Sequence, residues 1–134
     1  MKPYYLLLVV AIGCTTTKKG FAPTSLMGIW HPVSEEIAGT KLPKRAFEKQ
    51  TLEIRDSSYI VTAESVDKGV VHYQKTKMDI YGKEGVNKGR HFTAIYKLEN
   101  NQLIICYNLA GDPYPESFDT KGKKAYFLAI YEKR

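Results

Sequence analysis

RHFTAIYKLENNQLIICYN, residues 90–108, reads as two strands around Asn100-Asn101, with one apolar face and one mixed face that polar side chains share with Ile95, Ile104 and Cys106. Asparagine tolerates the positive φ angles of a two-residue primed turn, so this stretch predicts a β-hairpin that turns at that pair. Because side chains alternate between the two faces of a strand, one face then carries three pairs: Leu98 with Leu103, Tyr96 with Ile105, and Ala94 with Tyr107. A shift of one residue would place Lys97 on that face, so the pattern also predicts the register.

Short segments with strand-like alternation, separated by turn-forming residues, lie on both sides of the hairpin. The first predicted strand begins near Gly28, and the others cover residues 51–55, 59–64, 70–75, 77–81 and 125–132. Turns and loops are expected at 37–45, 56–58, 66–69, 83–89 and 109–124, with a short helix near 43–50. Antiparallel strands that close into a barrel leave no exposed edge. We therefore predict an all-β fold, an eight-stranded antiparallel up-and-down barrel.

The interior of such a barrel is either filled by side chains or holds one small ligand. The hairpin contributes bulky residues to the inward face, among them Phe92, Tyr96 and Tyr107. This bulk predicts a small cavity or none.

Residues 1–14, MKPYYLLLVVAIGC, have the features of an export signal. Lys2 supplies the positive start, and the uncharged run after it is shorter than the roughly 20 residues that a membrane-spanning helix needs. Ala11-Ile12-Gly13-Cys14 resembles the lipobox of bacterial lipoproteins, in which the cysteine thiol is acylated. The alternatives are an ordinary signal peptide in which Cys14 has no role, and an uncleaved segment.

The expected organisation is a lipoprotein signal peptide at 1–13, a polar tether at 14–25 and a barrel domain at 26–134. The lipobox resemblance implies a lipid-anchored protein of the cell envelope. Thr15, where some lipoproteins carry Asp, resembles those sent to the outer membrane, on its periplasmic side, in a cell with two membranes. With Cys14 acylated, Cys106 has no cysteine to pair with, and we expect a buried, unreactive thiol opposite Ile95.

Gly28-Ile29-Trp30 resembles the Gly-x-Trp motif of lipocalin-like barrels. In that superfamily the tryptophan closes one end of the barrel, often under a basic side chain of the last strand. The resemblance implies that Gly28 and Trp30 are structural, and that Arg134 or Lys133 covers Trp30 through a cation–π contact.

The chain is also similar to a narrower family, the planctomycete-type lipocalin-like domain of unknown function found in exported bacterial proteins. The matching residues are Gly28, Trp30, Met78-Asp79-Ile80, Gly89, Ile95-Tyr96-Lys97-Leu98, Leu103, Ile105-Cys106, Pro115 and Phe118. That family has no established activity, so the resemblance implies a fold and leaves the function open.

No arrangement typical of catalysis or metal binding stands out in the sequence. His31, His72 and His91 fall on different predicted strands, without the convergent spacing of zinc ligands. The carboxylates of residues 109–124 lack the alternate-residue spacing of a calcium loop. We therefore expect no enzyme activity, no metal and no cofactor.

The net charge of +6 comes from lysines spread along the chain, which indicates a solvated basic surface. Basic residues alone are a weak signal for nucleic-acid binding, and no stacking motif accompanies them. We expect no nucleic-acid partner, attachment to the membrane through the N-terminal lipid, and a monomeric barrel.

Two functions fit these features. The first is the binding of a small hydrophobic ligand, with Tyr96 and Tyr107 lining the cavity and Tyr114 gating its mouth, because tyrosine combines an apolar ring with a hydroxyl. The alternative is a filled barrel that acts as an interaction or inhibitor module on another envelope protein. The lipocalin resemblance favours the first function.

Acylation of Cys14 can be tested by detergent phase partitioning. We expect Cys14→Ser to move the protein from the detergent phase to the aqueous phase, because each buried methylene of an acyl chain contributes about 0.8 kcal/mol to membrane binding. Cys106→Ser is the matched control and should partition as the parent does. A Cys14→Ser protein that still enters the detergent phase as fully as the parent would rule out the lipobox interpretation.

Overall fold

The computed structural model describes residues 20–134, so Cys14 and the predicted signal segment lie outside the described residues. The strands are β1 (Gly28–Ile37), β2 (Thr40–Lys41), β3 (Thr51–Arg55), β4 (Ser58–Thr62), β5 (Val66–Gln74), β6 (Lys77–Glu84), β7 (His91–Glu99), β8 (Gln102–Asn108) and β9 (Tyr126–Lys133). Short 3-10 turns occur at Thr24–Leu26 and Lys44–Ala46, and the second replaces the helix expected near 43–50. Within residues 20–134, no helix has the length and apolar character needed to cross a membrane.

Antiparallel pairing between neighbours runs from β1 through β3 to β9, and β9 pairs back onto β1. This last ladder extends from Trp30 opposite Lys133 to Ile37 opposite Phe127 and closes the sheet. The two-residue β2 only extends the edge of β1. The predicted fold, an all-β, eight-stranded antiparallel up-and-down barrel, is therefore confirmed for the described part of the chain.

The hairpin of β7 and β8 has the predicted register. Leu98 pairs with Leu103, Tyr96 with Ile105, and Ala94 with Tyr107. Asn100 and Asn101 have φ angles of 51° and 62°, the left-handed values that a primed two-residue turn requires. Tyr96, Leu103 and Ile105 are buried in the core, as the alternation predicts, whereas Leu98 at the end of its strand is exposed.

The turn predicted at 66–69 is wrong, because β5 already begins at Val66. Gly69, which resembles a turn residue in the sequence, instead faces the barrel interior opposite Tyr59. A Cβ atom there would lie 2.5 Å from the Tyr59 ring and 2.1 Å from the Tyr81 carbonyl oxygen. Glycine at this position therefore provides room for an aromatic ring inside the barrel.

The two ends of the barrel differ in the length of their connections. The turns 55–58, 74–77 and 99–102 are tight and lie at the end where β1 begins, which we call the closed end. The connections between β1 and β3, β6 and β7, and β8 and β9 are longer and lie at the opposite, open end. A ligand can therefore reach the interior only past the longer loops.

Trp30 lies at the closed end of the barrel. Its ring is buried, and its indole nitrogen donates a hydrogen bond of 2.8 Å to the carbonyl oxygen of Leu26. The ammonium group of Lys133 lies 5.5 Å from the centroid of the ring. Arg134 is exposed and follows the last strand, so the predicted basic cover is supplied by Lys133.

Gly28 makes this cover sterically feasible. A Cβ atom at Gly28 would lie 2.6 Å from Cε of Lys133, and the φ angle of +129° is one that other residues rarely adopt. A side chain at position 28 would therefore displace Lys133 from its place beside Trp30.

The folded part of the chain begins earlier than the predicted boundary at residue 26. The Ala22 amide donates to the Asp56 carbonyl oxygen over 2.8 Å, and both Ala22 and Leu26 are buried. Residues 20–25, which the sequence assigns to the tether, therefore pack against the closed end of the barrel.

Residues 109–125, between β8 and β9, form a strap across the outside of the barrel. The Thr93 hydroxyl donates to the Gly111 carbonyl oxygen, and the Asn108 side-chain amide donates to the Pro113 carbonyl oxygen over 2.8 Å. Thr93, Cys106 and Asn108 face outward from their strands and are nevertheless buried. The strap thus contributes to the burial of Thr93 and Asn108.

The closed end gives a direct test of the Trp30 plug. We expect Trp30→Ala to lower the free energy of unfolding by about 3–5 kcal/mol, because it removes a buried aromatic side chain and leaves a cavity. Arg134→Ala, a change at the exposed end of the chain, should stay within about 0.5 kcal/mol of the parent. Urea denaturation measures both values, and equal midpoints for Trp30→Ala and the parent would contradict the plug.

Candidate ligand-binding cavity

The barrel encloses a cavity of about 390 Å³. The lining is contributed by all eight barrel strands and the open-end loops: Glu35, Ile37, Leu42, Gln50, Leu52, Ile54, Tyr59, Val61, Asp67, Val71, Tyr73, Met78, Ile80, Asn87, Arg90, Phe92, Ile105, Tyr107, Leu109, Phe127 and Tyr131. Most of these side chains are apolar or aromatic. The interior is therefore open, although the bulk of the inward residues predicts little or no space.

The cavity lies towards the open end of the barrel. Half-exposed side chains from the loops and strand ends surround its mouth, among them Leu42, Gln50, Val61 and Leu109. At the closed end, Leu26, Trp30 and Leu103 fill the interior. The bulky residues are thus concentrated at one end, which leaves space at the other.

The three tyrosines predicted to bind a ligand lie in three different places. Tyr107 lines the cavity. Tyr96 is buried nearer the closed end, where its hydroxyl donates to the Lys75 carbonyl oxygen over 2.8 Å, and it is not among the lining residues. Tyr114 belongs to the strap, and its hydroxyl donates to the Asp79 carboxylate on the outer face of β6. Tyr96 and Tyr114 are therefore corrected as candidates: neither contacts the cavity, and Tyr114 is not at its mouth.

Glu35 is a cavity residue that the sequence does not reveal. Only 4% of its surface is exposed, and its Oε1 atom has no hydrogen-bond partner among residues 20–134. Burial raises the pKa of this carboxyl from 4.5 to about 7, because the charged form is deprived of water. At neutral pH, Glu35 therefore exists as a mixture of the acid and the carboxylate.

The inward position of Glu35 results from an irregularity in β1. Pro32 pairs with Tyr131 and Ser34 pairs with the next residue of β9, Ile130. At this point β1 therefore contains one residue more than β9. Such a bulge shifts the alternation of side chains by one residue. Counting by two from the inward Trp30 places Glu36 inside, whereas Glu35 is the buried residue.

A pair of tyrosine hydroxyls lies near Glu35. The hydroxyls of Tyr107 and Tyr131 are 3.2 Å apart and hydrogen-bonded. Burial raises the pKa of Tyr107 well above its ordinary value, and the charges of Tyr131 and Glu35 contribute. The pKa of Tyr131 is also raised, first by burial and then by the charge of Glu35. Both phenols therefore stay protonated and can donate or accept a hydrogen bond.

A second carboxyl, that of Asp67, lies at the open end. Its Oδ2 accepts a hydrogen bond of 2.8 Å from the Asn87 side chain, while Oδ1 has no partner within the described residues. Asn87 in turn accepts a hydrogen bond of 3.3 Å from Arg90, which connects Asp67 indirectly to a positive charge. Burial and the adjacent Asp67 carboxylate raise the pKa of Tyr59 to about 12. The carboxylate charge of Asp67 is therefore better stabilised by its neighbours than that of Glu35.

The remaining reactive side chains lie away from the cavity. Cys106 pairs with Ile95 as predicted, and burial raises the pKa of its thiol to about 11. His91 stacks on Tyr81 at 4.7 Å and contacts the Asp79 carboxylate at 2.8 Å on the outer face. Across residues 20–134, no three His, Cys, Asp or Glu side chains are grouped as a metal site would require.

The described residues thus define a closed antiparallel β-barrel with an internal cavity, a form compatible with a lipocalin-like binding protein. No protein-family model, curated protein or solved structure matches the chain significantly. The fold and the cavity are therefore the observations from which a function is inferred.

Burial of Glu35 predicts a stability that depends on pH. The folded-state pKa of about 7 exceeds the ordinary value of 4.5, so the folded protein holds the proton more tightly and loses stability as the pH rises between these values. Between pH 5 and pH 8, the parent should lose about 2–3 kcal/mol of its free energy of unfolding through the ionisation of Glu35. Glu35→Gln cannot ionise at this position and should not show that loss.

Urea denaturation at the two pH values measures this difference. Glu36→Gln, the same substitution one residue along β1 and outside the cavity lining, should retain the pH dependence of the parent. Parallel pH profiles for Glu35→Gln and the parent would show that Glu35 ionises normally in the folded protein.

Proposed function

We propose that this chain is a lipid-anchored, lipocalin-like barrel of the cell envelope that binds one small hydrophobic ligand and does no chemistry on it. The observation that carries the proposal is the cavity of about 390 Å³ inside the barrel. Small-molecule sites are concave, mostly apolar and about 300–1,000 Å³ in volume. The cavity falls at the lower end of this range, which favours a small ligand.

The composition of the lining supports a hydrophobic ligand. Aliphatic side chains such as Val71, Met78 and Ile80 line the cavity, together with the aromatic rings of Phe92, which pairs with Ile80, and of Phe127 on β9. Burying apolar surface against such walls contributes about 25 cal/mol per Å². The cavity also disfavours the alternative function, a filled barrel that acts only through its surface.

The position of the N-terminal segment supports an orientation relative to the membrane. Residues 20–26 pack at the closed end, so the chain enters the barrel on the side opposite the cavity mouth. If Cys14 carries lipid, the six residue steps from Cys14 to Gly20 separate the anchor from the barrel by at most about 22 Å of extended chain. The mouth would then face away from the anchoring membrane and take its ligand from the aqueous side.

The similarity to planctomycete-type lipocalin-like domains is part of the same proposal. It is supported by the closed barrel and by the roles of Gly28 and Trp30 at its closed end. The proposal also includes a monomeric barrel that uses neither a metal nor a cofactor.

A cavity-filling variant tests where the ligand binds. Val71 lines the cavity, whereas Val70 precedes it on the same strand and lies outside the lining. We expect the uncharged fluorescent probe N-phenyl-1-naphthylamine to bind the parent saturably at one site. Val71→Phe should weaken this binding about tenfold or more, because a loss of 1.4 kcal/mol of contact already has that effect. Val70→Phe, the matched control, should bind as the parent does.

Circular dichroism of both variants establishes that they are folded. Equal probe affinity for Val71→Phe and the parent would place the binding site outside the cavity. Native mass spectrometry of protein purified from its own host identifies the natural occupant. Recovery of an empty barrel in complex with another envelope protein would instead support the interaction module.

A further inference from the structure

The cavity contains a buried carboxyl group, that of Glu35, with an oxygen that lacks a hydrogen-bond partner within residues 20–134. Glu35 is buried, its Oε1 accepts no hydrogen bond from residues 20–134, and no ion pair of the described residues includes it. Removing a charged carboxylate from water is costly unless a partner compensates for it. The protein itself supplies no such partner within the described residues.

The titratable and charged groups that line the cavity with Glu35 include a single cation among residues 20–134, and it forms no ion pair with Glu35. They are Tyr107 on β8, Tyr131 on β9, Tyr59 on β4, Tyr73 and Asp67 on β5, and Arg90 in the loop before β7. The lining residues of β3, β6 and β7 are apolar. Arg90 is exposed at the mouth, where its guanidinium lies 4.8 Å from the centroid of the Phe92 ring and donates to Asn87.

The sign of these charges contrasts with the rest of the molecule. The chain carries a net charge of +6, yet the two cavity side chains with unpartnered oxygens, Glu35 and Asp67, are both acidic. A ligand with an anionic head group would meet uncompensated carboxylates. A ligand with a cationic head group would supply the missing charge.

We propose that the ligand is an amphipathic amine, whose ammonium group binds the Glu35 carboxylate and the Tyr107–Tyr131 hydroxyl pair while its apolar part fills the cavity. This inference rests on the proposed function, since it assumes that the cavity binds a small hydrophobic ligand. An ammonium group has three donors and no acceptor, which matches carboxylate and phenol oxygens. The aromatic rings of Tyr59, Tyr73 and Phe127 also line the cavity, and ring faces attract cations.

The proposal predicts a preference among ligands that differ only in their head group. Decylamine, decanol and decanoate share one alkyl chain and carry a positive, a neutral and a negative head group near pH 7.5. We expect decylamine to bind about 10- to 100-fold more tightly than decanol, the range given by a charge-assisted hydrogen bond. Decanoate should bind more weakly than decanol.

Glu35→Gln tests the origin of the preference. Glutamine keeps the size of the side chain and can still accept a hydrogen bond, but it carries no charge. The ratio of the decylamine affinity to the decanol affinity should therefore fall to about one in Glu35→Gln. Glu36→Gln, the matched control on the same strand, should keep the full preference.

The pH dependence gives a second readout. Burial raises the pKa of Glu35 to about 7, and only the ionised carboxylate pairs with an ammonium ion. The affinity of the parent for decylamine should therefore fall about tenfold between pH 8 and pH 6, in proportion to the ionised fraction. In Glu35→Gln the affinity should not change over this range.

Isothermal titration calorimetry with the three ligands separates the outcomes. If decanol binds but decylamine has no advantage, or if the advantage survives in Glu35→Gln, the amine inference is wrong and the proposed function stands. Tightest binding of decanoate would also overturn it and would assign the head-group site to Arg90. If none of the three ligands binds, both the inference and the proposed function fail.

Discussion

The pairing of β9 with β1 is the constraint on which the rest of this structure depends. A meander of eight strands has two edges with unpaired backbone groups, and only their mutual pairing satisfies those groups without another molecule. The ladder from Trp30–Lys133 to Ile37–Phe127 brings the first and last strands together over most of their length. The same ladder places the Lys133 ammonium over the Trp30 ring, so the closure of the sheet and the closure of one barrel end have a common origin.

The cavity follows from the difference between the two ends. Tight turns and the segment 20–26 bring bulky side chains together at the closed end, where Leu26 and Leu103 are fully buried. The open end has longer connections, and the strap after β8 folds over the outer wall of the barrel. Its hydrogen bonds to Thr93 and Asn108 hold it there, while Leu109 at its start lines the cavity mouth.

Glu35 is a polar group that the fold buries without a hydrogen-bond partner for one of its oxygens within the described residues. Such an unfavourable position is a clue to function. A buried carboxyl without a partner lowers stability at neutral pH, since its ionisation is opposed by burial. Strained and unsatisfied groups occur preferentially at sites that act on something else. The combination of this carboxyl with the Tyr107–Tyr131 pair in an apolar cavity is therefore the feature of the molecule that most needs a ligand to explain it.

The sequence by itself determined the hairpin and the all-β class, because these depend on local rules, whereas the structural role of Trp30 was an expectation from the Gly-x-Trp resemblance. Two asparagines at positive φ set the turn, and strict alternation on either side sets which residues point inward. The same rules correctly placed Tyr107 inside the barrel and Cys106 opposite Ile95. They failed at residues 66–69, where Gly69 lies within a strand and leaves space for the Tyr59 ring instead of forming a turn.

Only the tertiary structure decided what occupies the cavity wall, because that depends on contacts between distant segments. The bulge between Pro32 and Ser34 arises in the pairing of β1 with β9, and it turns Glu35 inward against the alternation that starts at Trp30. Likewise, the strap fixes Tyr114 on the outer face through Asp79, a residue of a strand far from it in sequence. Local alternation carries no information about a bulge or a loop path that is set by a distant partner, and the candidate site is built from both.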